Sequence, residues 1–329
     1  MKERIMKKKW QILAILVCAV IGILFCRKTY YAFIIALFGI YSMVATGLDV
    51  LFGYTGQISL GHAGLFAIGA YVTTLLTMRL GLPTALSLVA GTVVTTIAGT
   101  LIAIPASRLV KHFLSLLMIA FGQIVYLIVN SWMAMTGGSM GIKGIPSLNL
   151  FGYKFDSNFK CAVIIWLFLG IIIFLKNRII NSRVGYAFIA IRENPVAARG
   201  LGIDVRLYKV LAFAVSAAMT GLAGGLYAFL RGFISPETFN GTQSTLFMTM
   251  LLFGGITTSS GPVIGTVILL LIKELFQSFA SWQGLIYAGF MLAVLFFFPN
   301  GVVGVYQNIR QRIKRINGKK MTGEGVPNA

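Results

Sequence analysis

Charged side chains are scarce in this sequence: Asp, Glu, Lys and Arg together make up 11% of its 329 residues. Soluble domains carry roughly 25%, so too few such groups are present to keep a water-exposed surface in solution. Acids are scarcer still, 8 Asp and Glu against 28 Lys and Arg. The two histidines, His62 and His112, are too few for a histidine metal site. The three cysteines, Cys18, Cys26 and Cys161, lie in or beside apolar stretches at no metal-ligand spacing and read as small hydrophobes. No metal and no cofactor is therefore expected on this chain. A phosphate-binding GxxxxGK loop is missing, which excludes ATP hydrolysis by that route, and so is an HExxH zinc motif. No polar low-complexity tract and no stretch suited to a soluble domain interrupts the chain.

What is present is apolar. Hydrophobic residues make up 57% of the chain, and the mean hydropathy is +0.87. Only lipid can serve as solvent for such a composition. A helical span needs about 20 apolar residues, and the pattern predicts an all-α polytopic membrane protein with about ten transmembrane helices. The spans fall near 10–26, 30–50, 58–78, 83–104, 112–134, 159–175, 208–230, 243–257, 262–280 and 283–299. The N-terminal MKERIMKKKW precedes an apolar run but no small-residue cleavage site follows, so an uncleaved first span is expected.

The net charge of +20 would suggest nucleic acid in a soluble protein. Here the basic residues cluster between apolar runs, and no nucleic-acid partner is expected. With the N-terminus inside, the inner segments hold 20 Lys and Arg counting through Lys209, against 7 in the outer ones, with Lys273 left beside Glu274 within a span. Inner loops collect Lys and Arg, so both termini are predicted to be cytoplasmic. Residues 1–307 read as one membrane domain and 308–329 as a basic, solvated tail whose cations suit anionic headgroups. Of the acids, Asp49 is expected at the inner surface, and Glu274 paired with Lys273 or interfacial.

Two stretches stand out. The segment Gly53–Gly64 (GYTGQISLGHAG) puts four glycines and the polar Tyr54, Thr55, Gln57, Ser59 and His62 between strongly apolar runs. Each glycine weakens a helix by about 1 kcal/mol relative to Ala, so an interrupted or re-entrant helix is predicted. Non-helical backbone at membrane depth survives only inside protein or along a wet cavity. Tyr54, Thr55, Gly56, Gln57, Ser59, Gly61 and His62 are thus candidate path-lining residues, against the plainer reading that the small residues allow close helix packing. The pairs Gly221/Gly225 and Gly261/Gly265 read as packing positions. Irregular backbone is expected around Ser235-Pro-Glu-Thr-Phe, at Gly254-Gly255 and at Gly261-Pro262, and paired breaks in two halves point to a central site.

The second stretch is the loop 182–206 (SRVGYAFIAIRENPVAARGLGIDVR). Asn194 followed by Pro195 reads as an N-cap and a first-turn proline, and Gly200 and Gly202 as a stop. A short helix over 187–193 and another over 195–199 predict a compact cytoplasmic hairpin, with Ala197 and Ala198 small enough for a partner to approach.

LDVLFGYTGQISLGHAGLFAIGAY, TGGSMGIKGIP, SRVGYAFIAIRENPVAARGLGI, the SPETF region and GPVIG, in this order from about residue 40 to 304, resemble the membrane subunits of ABC importers for branched-chain amino acids. They are most similar to the larger of the two permeases such systems pair. The resemblance implies a bacterial-type importer in the cell membrane, with a second permease, cytoplasmic ATP-binding subunits and an extracytoplasmic solute-binding protein as partners. It makes Arg192, Glu193, Asn194, Ala197, Ala198 and Gly200 the ATPase-coupling positions. It implies a transport subunit rather than an enzyme, moving branched-chain or similar hydrophobic amino acids. Related permeases carry urea, short amides or other small solutes, which is the alternative. An ion-coupled transporter needs more intramembrane carboxylates, and a membrane enzyme needs a catalytic cluster. The sequence departs from the family at Gly255–Gly261, where the turn is usually richer in glycine.

Overall fold

The computed structural model describes residues 29–109, 111–150, 152–275 and 289. The expected spans 10–26 and 283–299 and the tail 308–329 lie outside the described residues. Helix α1 (Thr29–Leu48) carries no charge over its 20 residues, and Ala36, Ile40, Met43 and Val44 along it are buried. It is a central helix. Around it stand α2 (His62–Arg79), α3 (Thr84–Ala106), α4 (Lys111–Ser131), a one-turn α5 (Met133–Thr136) and α6 (Asn158–Ile180). Next come α7 (Arg183–Glu193), α8 (Pro195–Gly200), α9 (Val205–Arg231), α10 (Gly241–Gly254) and α11 (Gly261–Leu275).

Among the described residues, five helical stretches are long and apolar enough to cross a membrane: Tyr30–Tyr54, Thr84–Ala106, Phe113–Ser131, Asn158–Ile180 and Val205–Arg231. These match five of the expected spans. The expected spans 58–78, 243–257 and 262–280 fall on α2, α10 and α11, none of which, as described, is both long and apolar enough to be among those five. On α3, Leu86, Val89, Val93, Ile97, Leu101 and Ile104 are exposed. Their spacing of three and four residues lays one apolar stripe along the helix, as a surface against lipid requires.

Small residues bring the helices together. α9 packs on α2 and α3, and a Cβ at Gly69 would lie 2.4 Å from the Gly221 carbonyl oxygen. Gly265 meets α10 as closely, its Cβ position lying 2.0 Å from Met250 O. The packing reading of both glycine pairs therefore holds. In the space they frame, Phe66 and Tyr227 rings lie 5.3 Å apart, as do those of Tyr41 and Phe247.

At the end remote from α7 and α8, two short ribbons close the bundle. β1 (Ile142–Lys143) pairs antiparallel with β4 (Phe233–Ile234), and β2 (Asn149–Leu150) with β3 (Tyr153–Lys154). The run Gly137–Gly141 just before β1 has the Gly-x-Ser-x-Gly spacing of hydrolase elbows. Its serine sits on a 3-10 turn (Gly138–Met140) rather than between a strand and a helix, so the spacing carries no such chemistry.

From β4 the chain turns inward. The 3-10 turn Pro236–Phe239 buries Phe239 against Phe66 and Tyr71, so α10 begins within the bundle. Its 14 residues span about 21 Å at 1.5 Å each, short of the roughly 30 Å hydrocarbon core. The break that follows is residues 255–260, starting at the expected Gly254-Gly255, whereas Gly261-Pro262, expected to be irregular too, opens α11.

Candidate functional site

At Asp49 the backbone of α1 widens into a π-helix, Asp49–Tyr54, a distortion found often at functional sites. Asp49 is fully buried, and its Oδ2 lies 2.5 Å from Nζ of the equally buried Lys176 on α6. Its Oδ1 accepts a 2.7 Å hydrogen bond from Thr257 N. Lys176 also donates to Thr258 O at 3.0 Å and sits 5.8 Å over the Tyr54 ring, whose hydroxyl donates to Thr257 O at 2.9 Å. A buried pair persists when its remaining donors and acceptors are satisfied, and here the 255–260 turn supplies both. Gly53 is required: a Cβ there would fall 2.0 Å from Asp49 Oδ1.

This corrects two sequence expectations. Asp49 is not at the surface, and Lys176 is not a solvated loop charge, because α6 runs on to Ile180 and carries the ammonium inside. The apolar context of Asp49 was the available signal; its partner on another helix was not readable from spacing. Glu274, by contrast, accepts a hydrogen bond from the Tyr30 hydroxyl, so its carboxylate is bound across helices rather than by its neighbour Lys273.

Beyond the π-helix, residues 56–61 are non-helical. Gly56 has φ +70°, open to glycine at low cost. Buried Thr55 donates to Leu51 O. Gln57 Nε2 donates to Thr55 Oγ1 at 2.9 Å and to Lys209 O at 3.4 Å, leaving the buried Oε1 without a partner. α2 then starts at His62, whose ring bridges Ser59 Oγ and Ser216 Oγ, each at 2.8 Å. Ala63 N donates to Ser244 Oγ of α10 at 2.9 Å. Gly61 behaves as a packing residue, since a Cβ on it would lie 2.1 Å from Met118 O of α4. The seven candidate path residues thus divide. Tyr54, Ser59, Gly61 and His62 are held in internal contacts; Thr55 and Gln57 are hydrogen-bonded internally too, but with Gly56 they also line open space.

That space is a cavity of about 440 Å³ between the break, the segment Ser107–Leu109, α8 and the first turn of α9. A smaller one of about 220 Å³ lies where the starts of α2 and α10 approach α4, with Ala63, Gln123, Asn240 and Ser244 in its wall.

Helices α7 and α8 are two short helices on either side of Asn194, as the sequence predicts. Asn194 Oδ1 accepts from Val196 N at 2.9 Å and Ala197 N at 3.1 Å, and Gly202 turns the chain at φ +79°. Gly200 closes α8, with Glu193 and Ala197 exposed. Ala198 corrects the expected contact face: it is 2% exposed and packs with Ile191 and Val205. Val196 and Leu201, 72% and 80% exposed, stand outward instead. Arg192 points the other way. Its guanidinium donates to Gly53 O at the end of the π-helix, and its stem covers Gly56, whose Cβ position is 3.3 Å from Arg192 Cγ.

Residues 30–299 match the family described as branched-chain amino acid transport system / permease component. The chain is 31% identical over 302 residues to the high-affinity branched-chain amino acid transport system permease protein LivM of Escherichia coli (strain K12), covering 85% of this chain and 70% of that protein. It is 22% identical to the probable permease LivM of Methanocaldococcus jannaschii, across 86% and 96% of the two. The LivH permease of the same E. coli strain is 27% identical, across 80% and 91%. No solved structure matches the chain.

Proposed function

The chain belongs to the branched-chain amino acid transport permease family, and on that premise we propose that it is the membrane-spanning subunit of an ATP-driven importer for branched-chain or similar hydrophobic amino acids. That relatives named LivM and LivH occur in one organism supports pairing with a second permease. ATP would be hydrolysed on separate cytoplasmic subunits, and an extracytoplasmic solute-binding protein would deliver the amino acid. About ten spans with both termini in the cytoplasm complete this reading, the basic excess on the α7–α8 side supporting the orientation.

One observation carries the mechanism: the hydrogen bond from Arg192 to Gly53 O. α7 and α8 form a rigid piece, capped by Asn194 and filled by Ile191, Ala198 and Val205. An ATP-binding subunit pressing on Val196, Ala197 and Leu201 would move it as a unit. Arg192 passes that displacement to the π-helix, and Asp49 passes it to Lys176 and the 255–260 turn. The break at Thr55, Gly56 and Gln57 lies between these points, where the path would open and close. No covalent chemistry is required of this chain.

The test is Arg192→Met in the reconstituted complex. Losing a hydrogen bond to a charged donor corresponds to roughly tenfold in the step that uses it. Leucine uptake should fall by about that factor while ATP hydrolysis with loaded binding protein continues. Uptake and hydrolysis both at wild-type levels would remove Arg192 from the coupling route. An uptake panel of leucine, isoleucine, valine, urea and short amides identifies the solute.

A further inference from the structure

The cavity of about 440 Å³ beside the hairpin carries a feature that transport does not account for. Arg108, Arg199, Arg206 and Lys209 all line it, and no carboxylate does. They come from three separate segments, the 107–109 turn, α8 and α9, so the fold gathers them around a concavity. Among the described residues Arg108, Arg199 and Arg206 make no ion pair, and Lys209 Nζ reaches Ser107 O at 3.5 Å. Asp204, the nearest acid in sequence, is engaged elsewhere: its Oδ1 caps α9 through Arg206 N at 3.0 Å and Leu207 N at 3.1 Å. The three guanidinium groups, like charges drawn to one concavity, destabilise one another, which an anion would relieve.

We propose that this cavity binds the phosphate of an acidic phospholipid headgroup. It lies where α3 ends and α4 begins, the level at which a membrane-spanning helix leaves the hydrocarbon and meets headgroups. Its wall is amphipathic as a lipid requires, with Leu109, Leu114 and Ile191 among the cations. Gln57 Oε1 is buried in the lining and accepts no hydrogen bond, which provides for a headgroup hydroxyl. A bound headgroup would tie α8 to the break at 55–57 and so restrain the hairpin. The inference depends on membrane insertion and not on which solute is transported.

The experiment uses the full-length chain in detergent and a fluorescent short-chain phosphatidylglycerol. Arg108→Gln with Arg199→Gln removes two cavity charges. Arg178→Gln with Arg183→Gln removes two exposed charges from the same end, outside the cavity. The cavity variant should weaken binding by about tenfold and the control by less than about twofold, as attraction near a membrane surface is set by each nearby cation. Unlabelled phosphatidylglycerol should compete and phosphatidylcholine should not. Equal weakening by both variants would overturn the site in favour of a diffuse basic surface. Competition by inorganic phosphate, with the same dependence on Arg108 and Arg199, would overturn the lipid assignment and give the site to a soluble phosphate. Arg108→Lys with Arg199→Lys, which keeps both charges, should retain binding and separates charge loss from misfolding.

Discussion

The α7–α8 hairpin and the break at residues 49–61 meet at Arg192, which donates to Gly53 O and covers Gly56, yet they are built in opposite ways. The hairpin is local: a cap, a proline and a glycine, each within a few residues of what it shapes. The break is held from a distance. Asp49 is fixed by Lys176 and Thr257, His62 by Ser216, and Ala63 by Ser244, all on helices or turns far along the chain. A locally built piece keeps its shape when pushed. A piece built from distant contacts changes when those contacts shift. That difference suits a lever acting on a gate.

The comparison breaks first at the ion pair. Lys176→Met leaves Asp49 charged and buried, and removing one partner of such a pair costs about 3–5 kcal/mol. The variant should show the largest loss of thermal stability in detergent, with recovery when Asp49→Asn is added. A melting temperature unchanged by Lys176→Met would mean the break does not depend on the pair.

Second come the two glycines at either end of the non-helical stretch. Gly61→Trp drives a side chain into the α4 backbone at Met118, and overpacking costs typically about 1–3 kcal/mol or more. It should reduce folded protein on size-exclusion chromatography. Gly56→Trp faces the Arg192 stem and open cavity, so more folded protein should survive, with uptake lost. The reverse order of folded yields would show that the break is packed at Gly56 and open at Gly61.

How much of this the sequence disclosed follows the same division. The two short helices around Asn194 were readable, because Asn194, Pro195 and Gly202 act on their immediate neighbours, although the first begins at Arg183, four residues before the expected start at Ala187. The interruption at Gly53–Gly64 was readable as well, since four glycines weaken a helix wherever they stand. Its contents were not. That Asp49 finds Lys176 depends on α6 lying beside α1, which no periodicity along either helix encodes. Thr257 looked like a residue in an ordinary turn, although its backbone N–H holds Asp49. Ala198 was misplaced for a smaller reason: α8 is under two turns long, and which of two adjacent alanines faces inward is fixed by Ile191 and Val205.

Third, Asn194→Ala removes the cap and should cost the hairpin about 1 kcal/mol. Hydrogen exchange should quicken at Val196 and Ala197, whose N–H groups the cap accepts, while α1, α2 and α9 keep wild-type protection. Quickened exchange across those long helices would show that the hairpin is not an independent local unit.

The smallest effect on stability is expected at Ala197, and there the lever reading is most exposed to failure. Ala197 is outward on α8, beside Val196, whereas Ala198 one residue on is inward. An exposed substitution away from caps and core usually changes stability by no more than about 0.5 kcal/mol, so Ala197→Arg should melt as wild type. Ala198→Arg puts a charge among Ile191 and Val205 and should loosen the hairpin. If an ATP-binding subunit seats on the outward face, the long side chain of Ala197→Arg should obstruct it. Uptake should fall, and the permease should retain less ATP-binding subunit on co-purification, with the bundle intact. Uptake and co-purification both at wild-type levels in Ala197→Arg would place the contact elsewhere. Uptake that fails only in Ala198→Arg would then mean that the hairpin matters for its own folding and not as the surface on which force is received.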